Sequence, residues 1–206
     1  VTVDLAERIA EHYGVETRNV LTGFKYIGEQ IGLLEKAGEE RRYLFGFEES
    51  YGYLTGTYVR DKDGVDGAVM ICEMFSFYAA RGIRLTDQLA KLYERYGYCR
   101  NTLHSYQFEG SAGFAKMQGI MAAFRQGIST FGGKAVEKVL DYSAGLDGLP
   151  QADVLKFYLD GGTTLVVRPS GTEPKLKLYL SVTAKDEAEA ARIEQAILND
   201  AEVYFR

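Results

Sequence analysis

The sequence predicts two consecutive folding units: an α/β unit with a mainly parallel sheet over residues 1–108, and an α+β unit with an antiparallel sheet over residues 109–206. In the first half, an apolar run of strand length lies between segments whose apolar residues recur at helical spacing, which is typical of α/β proteins. In the second half, period-2 alternation and a hairpin turn dominate. The 206 residues suffice for two small domains, each with its own core.

The composition narrows the classes of partner. Lys and Arg total 24 against 29 Asp and Glu, and no basic cluster is dense enough to follow a phosphate backbone, so nucleic acid is not expected as a partner. Since no apolar run approaches the roughly 20 residues of a membrane span and no secretory signal opens the chain, we expect no membrane association and a cytoplasmic location. The chain begins at Val1 without an initiator Met, so we expect it to be part of a longer polypeptide.

Helical spacing of apolar residues predicts four helices in the first half. The first begins near Asp4 and ends near Gly14, and the other three follow in order, around Ile27–Leu34, Val65–Ala79 and Leu85–Tyr96. Between the second and third helices, the apolar run Tyr43–Phe47 predicts a buried strand.

The pattern changes near residue 98. Alternation over Thr102–Phe108 predicts a strand, and we place the domain boundary at the small residues Gly110–Gly113 that follow. Asp160-Gly161-Gly162 between two apolar runs predicts a hairpin, and Leu176–Val182 alternates as a strand with one wet face. Two helices complete this half, one around Phe114–Phe124 and one from Asp186, where Glu189 indicates a capping box.

The strongest local motif is Arg168-Pro169-Ser170-Gly171-Thr172-Glu173-Pro174, between two predicted strands. It offers a guanidinium, two hydroxyls and successive backbone N–H groups, which are the donors that a phosphate dianion requires. The alternative is a solvated β-turn, because Pro, Ser, Gly and Thr are the usual turn residues.

A second motif, Gly46-Phe47-Glu48-Glu49-Ser50-Tyr51-Gly52, follows the predicted buried strand, where open α/β sheets bind their ligands. Its carboxylates and hydroxyls suit the vicinal hydroxyls of a sugar, and a strand end with solvated acids is the alternative. Lys62, in Arg60-Asp61-Lys62-Asp63-Gly64, and Lys25, before the second helix, are candidate phosphate partners, with an exposed lysine as the ordinary interpretation. We assign neither His12 nor His104 to catalysis or to a metal.

These four segments, in their order along the chain, resemble the α-D-phosphohexomutase family. The segment Glu48-Glu49-Ser50-Tyr51-Gly52 is most similar to its phosphoglucomutase branch. The family has four domains around a cleft. The resemblance implies that the chain comprises most of the third domain, which binds the sugar, and the whole fourth domain, which binds phosphate and is similar to the TATA-box-binding protein. The missing N-terminal domains of the same polypeptide would then be its partners.

The resemblance also implies a reaction. In the family, a phosphoserine passes its phosphoryl group to a hexose phosphate through a 1,6-bisphosphate intermediate, with Mg²⁺ assisting the transfer. The phosphoglucomutase branch interconverts glucose 1-phosphate and glucose 6-phosphate through glucose 1,6-bisphosphate. By this resemblance, Glu48 and Ser50 would bind the sugar hydroxyls, and Lys62 and Lys25 would lie near the ligand. The phosphate that does not react would be held by Arg168, Ser170, Gly171 and Thr172.

The chain contains neither the family's phosphoserine loop nor its Asp-x-Asp-x-Asp magnesium loop. Because phosphoryl transfer depends on positioning and charge neutralisation, we predict negligible activity for this chain alone, with no catalytic residue other than Lys62 as a candidate. A phosphomannomutase or mixed-specificity enzyme is one alternative, and a non-catalytic module that binds sugar phosphates is another.

Overall fold

A computed structural model of the chain describes residues 3–146, 148–171 and 173–205 and divides it into two compact units. The first unit is built from Glu7–Arg95, and the second from Val3–Ala6 and the chain from Tyr96 onward. Among the described residues, none of the helices combines the length and apolar character that crossing a bilayer requires.

Helices make up most of the first unit, and the predicted ones are confirmed. Their bounds are α1 (Asp4–His12, whose first turn is grouped with the second unit), α2 (Phe24–Lys36), α3 (Gly64–Ala79) and α4 (Leu85–Tyr96). A short 3₁₀ helix covers Glu40–Arg42, and two strands follow it, β1 (Gly46–Phe47) and β2 (Tyr53–Leu54). The small core of this unit groups Phe24, Ile31 and Leu54 with Ile27 and Tyr43.

The prediction of a mainly parallel sheet in this unit is wrong. The strands that the structure describes here, β1 and β2, pair antiparallel. The chain turns back between them because Tyr51 adopts a left-handed φ of 64° and the Glu48 N–H donates to the Gly52 carbonyl oxygen at 3.0 Å. A parallel pair would need a long crossover, which this turn replaces. Of the predicted strand, Leu44 and Phe45 are 58% and 43% exposed instead of buried.

The second unit contains the predicted antiparallel sheet with helices. Its strands are β3 (Tyr98–Gln107), β4 (Thr130–Phe131), β5 (Lys134–Asp141), β6 (Leu155–Leu159), β7 (Thr163–Pro169) and β8 (Lys175–Ala184), and its helices are α5 (Gly110–Arg125) and α6 (Glu187–Phe205). Neighbours follow the order β3-β8-β7-β6-β5-β4, and every pair is antiparallel. The finer likeness to the TATA-box-binding protein remains a prediction.

The strand β3 pairs with β8 from Tyr98 to Gln107, so hydrogen bonding groups it with the second unit. The expected boundary at residue 108 falls at the far end of this strand, and Gly110–Gly113 form the first turn of α5 instead of a linker. The ten residue pairs between β3 and β8 determine to which unit β3 belongs. The small residues alone could not indicate this, because the pairing partners of β3 lie far away in the sequence.

Alternating residues of β6, β7 and β8 point to one core shared with α5 and α6. Leu165, Val167 and Leu178 are fully buried there, and Phe124, Phe131 and Phe157 form an aromatic cluster with ring centroids 5.4 to 6.1 Å apart. The N-cap half of the predicted capping box of α6 is confirmed, because the Glu189 N–H donates to Asp186. The Glu189 carboxylate accepts from the Lys185 N–H, one residue before the N-cap. This core fixes the register of β7 and β8, which hold the loop between them.

Candidate functional site

The loop that was predicted to bind phosphate closes the β7–β8 hairpin. The ladder continues to its end, since Pro169 pairs with Leu176 and the Ser170 N–H donates to the Lys175 carbonyl oxygen at 2.7 Å. Arg168 is half-buried in the last part of β7, and Gly171 is exposed at the turn. Thr172, the remaining predicted phosphate ligand, lies outside the described residues.

Strand register places a second cation beside Arg168. Arg168 is directly opposite Lys177, and because Val167 and Leu178 fill the core face, both basic side chains leave the opposite face of the sheet. Lys175 follows on that face of β8, nearer the loop. Like charges directly opposite each other destabilise a sheet, and in the described part of the chain neither side chain has an ion pair with a carboxylate. A bound anion would relieve this repulsion.

Lys175 and Lys177 are not among the predicted phosphate ligands. Lys175, Lys177 and Tyr179 alternate with apolar residues along β8, which places them on the solvent-exposed face of the strand. This alternation is a sequence signal by which the two lysines could have been identified as candidate phosphate ligands. The sequence does not give the register of β7 against β8, and only this register shows that Lys177 lies directly opposite Arg168.

The loop that was predicted to bind sugar begins where β1 ends. Glu48 is held here with only 12% of its side chain exposed, and its backbone N–H closes the turn on Gly52. Its Oε1 lies 3.5 Å from Nζ of Lys62, so the structure brings these two candidates together. Ser50 is exposed at the turn, and Lys25 lies in the first turn of α2 with its Nζ 4.8 Å from the ring centroid of Tyr26.

The segment that carries Lys62 is fixed by Asp63, the N-cap of α3. Its carboxylate accepts from the Val65 and Asp66 N–H groups, which is typical of an N-cap, and from the Tyr58 hydroxyl at 2.9 Å. These hydrogen bonds, from Asp66 first, then Tyr58 and Val65, lower the pKa of Asp63. The Asp63 N–H in turn donates to the Tyr53 carbonyl oxygen, which ties the segment to β2.

Lys62 also contacts Asp61, whose Oδ1 lies 3.3 Å from Nζ. The hydrogen bond to Asp61 and the charge of Glu48 raise the pKa of Lys62, so it remains an ammonium at neutral pH. A carboxylate and an ammonium side by side can accept from and donate to hydroxyl groups. The basic face at the other loop can bind an anion.

Metal binding finds no support in these residues. Within the described ranges, no group of three or more His, Cys, Asp or Glu side chains could hold a metal ion. His104 contacts Glu194, and His12 contacts Arg95.

Comparison with known proteins covers most of the chain. The phosphoglucomutase/phosphomannomutase alpha/beta/alpha domain III matches residues 1–96, and the phosphoglucomutase/phosphomannomutase C-terminal domain matches residues 108–200. A phosphoglucomutase of Staphylococcus epidermidis is 37% identical over 97% of this chain and 38% of its own length, and one of Staphylococcus aureus is 35% identical over 96% and 37%. The chain thus spans well under half the length of these curated relatives.

The fold of this chain is also found in a solved structure. It is the open form of the exocytosis-sensitive phosphoprotein pp63/parafusin, a phosphoglucomutase from Paramecium, and it matches 98% of this chain and 35% of its own with a TM-score of 0.68. At 19% sequence identity, this likeness shows the fold alone.

Proposed function

Because the chain belongs to the phosphoglucomutase/phosphomannomutase family, we propose that it is the hexose-phosphate-binding part of an enzyme that interconverts glucose 1-phosphate and glucose 6-phosphate. The observation that carries this proposal is the loop at the end of the β7–β8 ladder, where Arg168 stands opposite Lys177 with no carboxylate paired to either in the described residues. A phosphate dianion can accept charge-assisted hydrogen bonds from both of these neighbouring cations.

In this proposal each loop recognises a different chemical part of the substrate. Arg168, Ser170, Gly171 and Thr172 hold the phosphate that does not react, through a guanidinium, hydroxyls and backbone N–H groups. Glu48 and Ser50 bind hydroxyls of the sugar, with Lys62 beside Glu48 and Lys25 as a further contact. Recognition of the sugar through its hydroxyls lets the hexose be held in either orientation, which the glucose 1,6-bisphosphate intermediate requires.

The phosphoryl donor and Mg²⁺ belong to other parts of the longer relatives in this proposal, so we expect this chain alone to transfer no phosphoryl group. The missing domains would supply both, and the expected cytoplasmic location stays a prediction. The matching models are named for both phosphoglucomutase and phosphomannomutase, so a phosphomannomutase or mixed-specificity enzyme is the second candidate. A non-catalytic binding module is the candidate from another class.

The test is an NMR titration of the 206-residue chain with glucose 1-phosphate and, separately, mannose 1-phosphate. We expect a Kd in the millimolar range, about 4 kcal/mol, with shifts in residues 168–171 and 48–52. Arg168→Ala should abolish the shifts, and Arg192→Ala, which removes an exposed arginine of α6, should not.

Glu48→Ala should weaken binding more than Glu49→Ala, because Glu49 is exposed beside it. Unchanged affinity in Arg168→Ala would contradict the proposal. Equal affinity for both sugars would favour the mixed-specificity enzyme.

A further inference from the structure

Gly52 makes room for the contact between Glu48 and Lys62. A Cβ atom built on Gly52 would lie 2.5 Å from Oε1 of Glu48, 2.8 Å from its Cγ and 2.8 Å from Cδ of Lys62. Nonbonded carbon atoms normally approach to about 3.5–4.0 Å, so a side chain here cannot coexist with the pair. The φ angle of Gly52 lies outside the left-handed range, in contrast to that of Tyr51. Glycine is therefore required here for space and not for backbone conformation.

Asp61 holds Lys62 from the other side. Its Oδ1 accepts from the backbone N–H of Lys62 at 2.8 Å and from Nζ of the same residue at 3.3 Å. One carboxylate oxygen thus binds both ends of the lysine and restricts where the ammonium can lie. The ring of Phe24 lies 5.8 Å from Nζ, and together with Asp61 and Glu48 it completes the groups that face the ammonium in the described residues.

We propose that Gly52 and Asp61 are positioning residues that fix the ammonium of Lys62 against the carboxylate of Glu48. The resulting pair presents one acceptor and one donor side by side. A hydroxyl group both donates and accepts, so two neighbouring hydroxyls can donate to Glu48 and accept from Lys62 at once. The ligand class is then the vicinal diol of a hexose. This last step rests on the proposed function, and the arrangement of the pair itself does not.

Substitution of Gly52 separates positioning from folding. The atoms that an added methyl group would meet belong to side chains and not to backbone, so Glu48 and Lys62 can swing away and the fold survives. Gly32→Ala is the matched control, because a Cβ there meets nothing within 4 Å and its φ is also outside the left-handed range. Asp61→Asn is an independent variant that removes the charge holding Lys62 and adds no bulk.

The experiment follows the ¹³Cε resonance of Lys62 in the ligand-free 206-residue chain as a function of pH. In the wild type this lysine should titrate above the ordinary value of about 10.4. Gly52→Ala and Asp61→Asn should each bring its pKa back toward that value, whereas Gly32→Ala should not. Thermal unfolding of each variant confirms that the chain is folded.

Affinity for glucose 1-phosphate should fall at least about tenfold in Gly52→Ala, as expected for one charged hydrogen bond lost, and stay constant in Gly32→Ala. A Lys62 titration that is identical in Gly52→Ala, Asp61→Asn and the wild type would overturn the inference. If the wild type binds no hexose phosphate, the proposed function fails, and the ligand-free titration still decides whether Gly52 and Asp61 position the pair.

Discussion

Glu194 on α6 is a buried carboxylate of the second unit. Only 10% of its side chain is exposed, and it accepts from Nε of Arg100 at 2.6 Å and from Nε2 of His104 at 3.1 Å. Burial raises its pKa, but hydrogen bonds from Thr102, Arg100 and His104 outweigh that effect and lower the pKa overall. Glu194 is therefore ionised at neutral pH and ties α6 to the edge strand β3.

We predict that Glu194→Gln lowers the free energy of unfolding by about 1–3 kcal/mol near pH 7, because the hydrogen bonds from Arg100 and His104 lose their charged acceptor. The pKa of Glu194 in the folded chain is below its ordinary value of 4.5, so this stabilisation exists above pH 4.5 and disappears as the pH falls through the folded pKa. The difference between variant and wild type should shrink accordingly in urea unfolding curves at successive pH values.

Glu187→Gln is the control for this change, because Glu187 lies 3.9 Å from the same Arg100 with 76% of its side chain exposed. Its effect should stay within about 0.5 kcal/mol. If both variants lost the same stability, the importance of burial at Glu194 would be refuted.

Among the secondary-structure elements, the β4–β5 hairpin packs its turn against α6. Gly132 has a φ of 56°, and a Cβ on it would lie 2.7 Å from the backbone nitrogen of Ile197. Its own N–H donates to Asp200 at 2.7 Å. Gly133, with a φ of 75°, has open space around its Cβ position. Both glycines serve the turn, but only Gly132 allows close approach to the helix.

Gly132→Ala should therefore destabilise the chain by about 2–4 kcal/mol, which combines the left-handed φ with a clash against helix backbone. Gly133→Ala should cost about 1–2 kcal/mol, because only the backbone conformation is affected. Thermal or urea unfolding of the two variants measures the difference. Equal losses would mean that the contact between the hairpin and α6 contributes nothing.

Local signals predicted most elements of this fold. Periodicity located the six α-helices among the described residues, and Asp160-Gly161-Gly162 located the β6–β7 hairpin. The pairing direction after Tyr43–Phe47 could not be predicted, because it depends on the left-handed φ of Tyr51, a conformation uncommon for a residue with a side chain. Apolar periodicity also failed to predict burial in α3, where Val65 and Phe75 are exposed.

In the candidate site, too, features carried by contiguous residues could be predicted from the sequence, and features that depend on pairing between distant residues could not. The segment from Arg168 to Pro174 was recognisable because its residue types are contiguous. The proximity of Glu48 and Lys62 was not predicted, because it depends on a hairpin and on the cap at Asp63, which bring together residues fourteen positions apart. The pairing of Arg168 with Lys177 likewise depends on strand register, which follows from how the β7–β8 hairpin packs its apolar face.

At the scale of the whole molecule, the two units have cores of different size. In the first unit, the buried cluster consists of Phe24, Ile31 and Leu54. In the second unit, the buried cluster is larger and contains large side chains from β6, β7 and β8 and from the two helices α5 and α6. The two clusters share no residue in the described chain. Since stability follows the apolar area that a unit buries, the first unit should open more readily than the second.

Hydrogen exchange tests this expectation. Amides of α2 should exchange through openings of lower free energy than those of β7 and β8, which should reach the highest values in the chain. Ile31→Ala should speed exchange in residues 7–95 alone, and Leu178→Ala should speed it in β7 and β8, each by removing a fully buried side chain worth about 2–5 kcal/mol. If either substitution instead raised exchange equally throughout the chain, the two units would unfold as one cooperative structure, and separate cores would not mean separate stabilities.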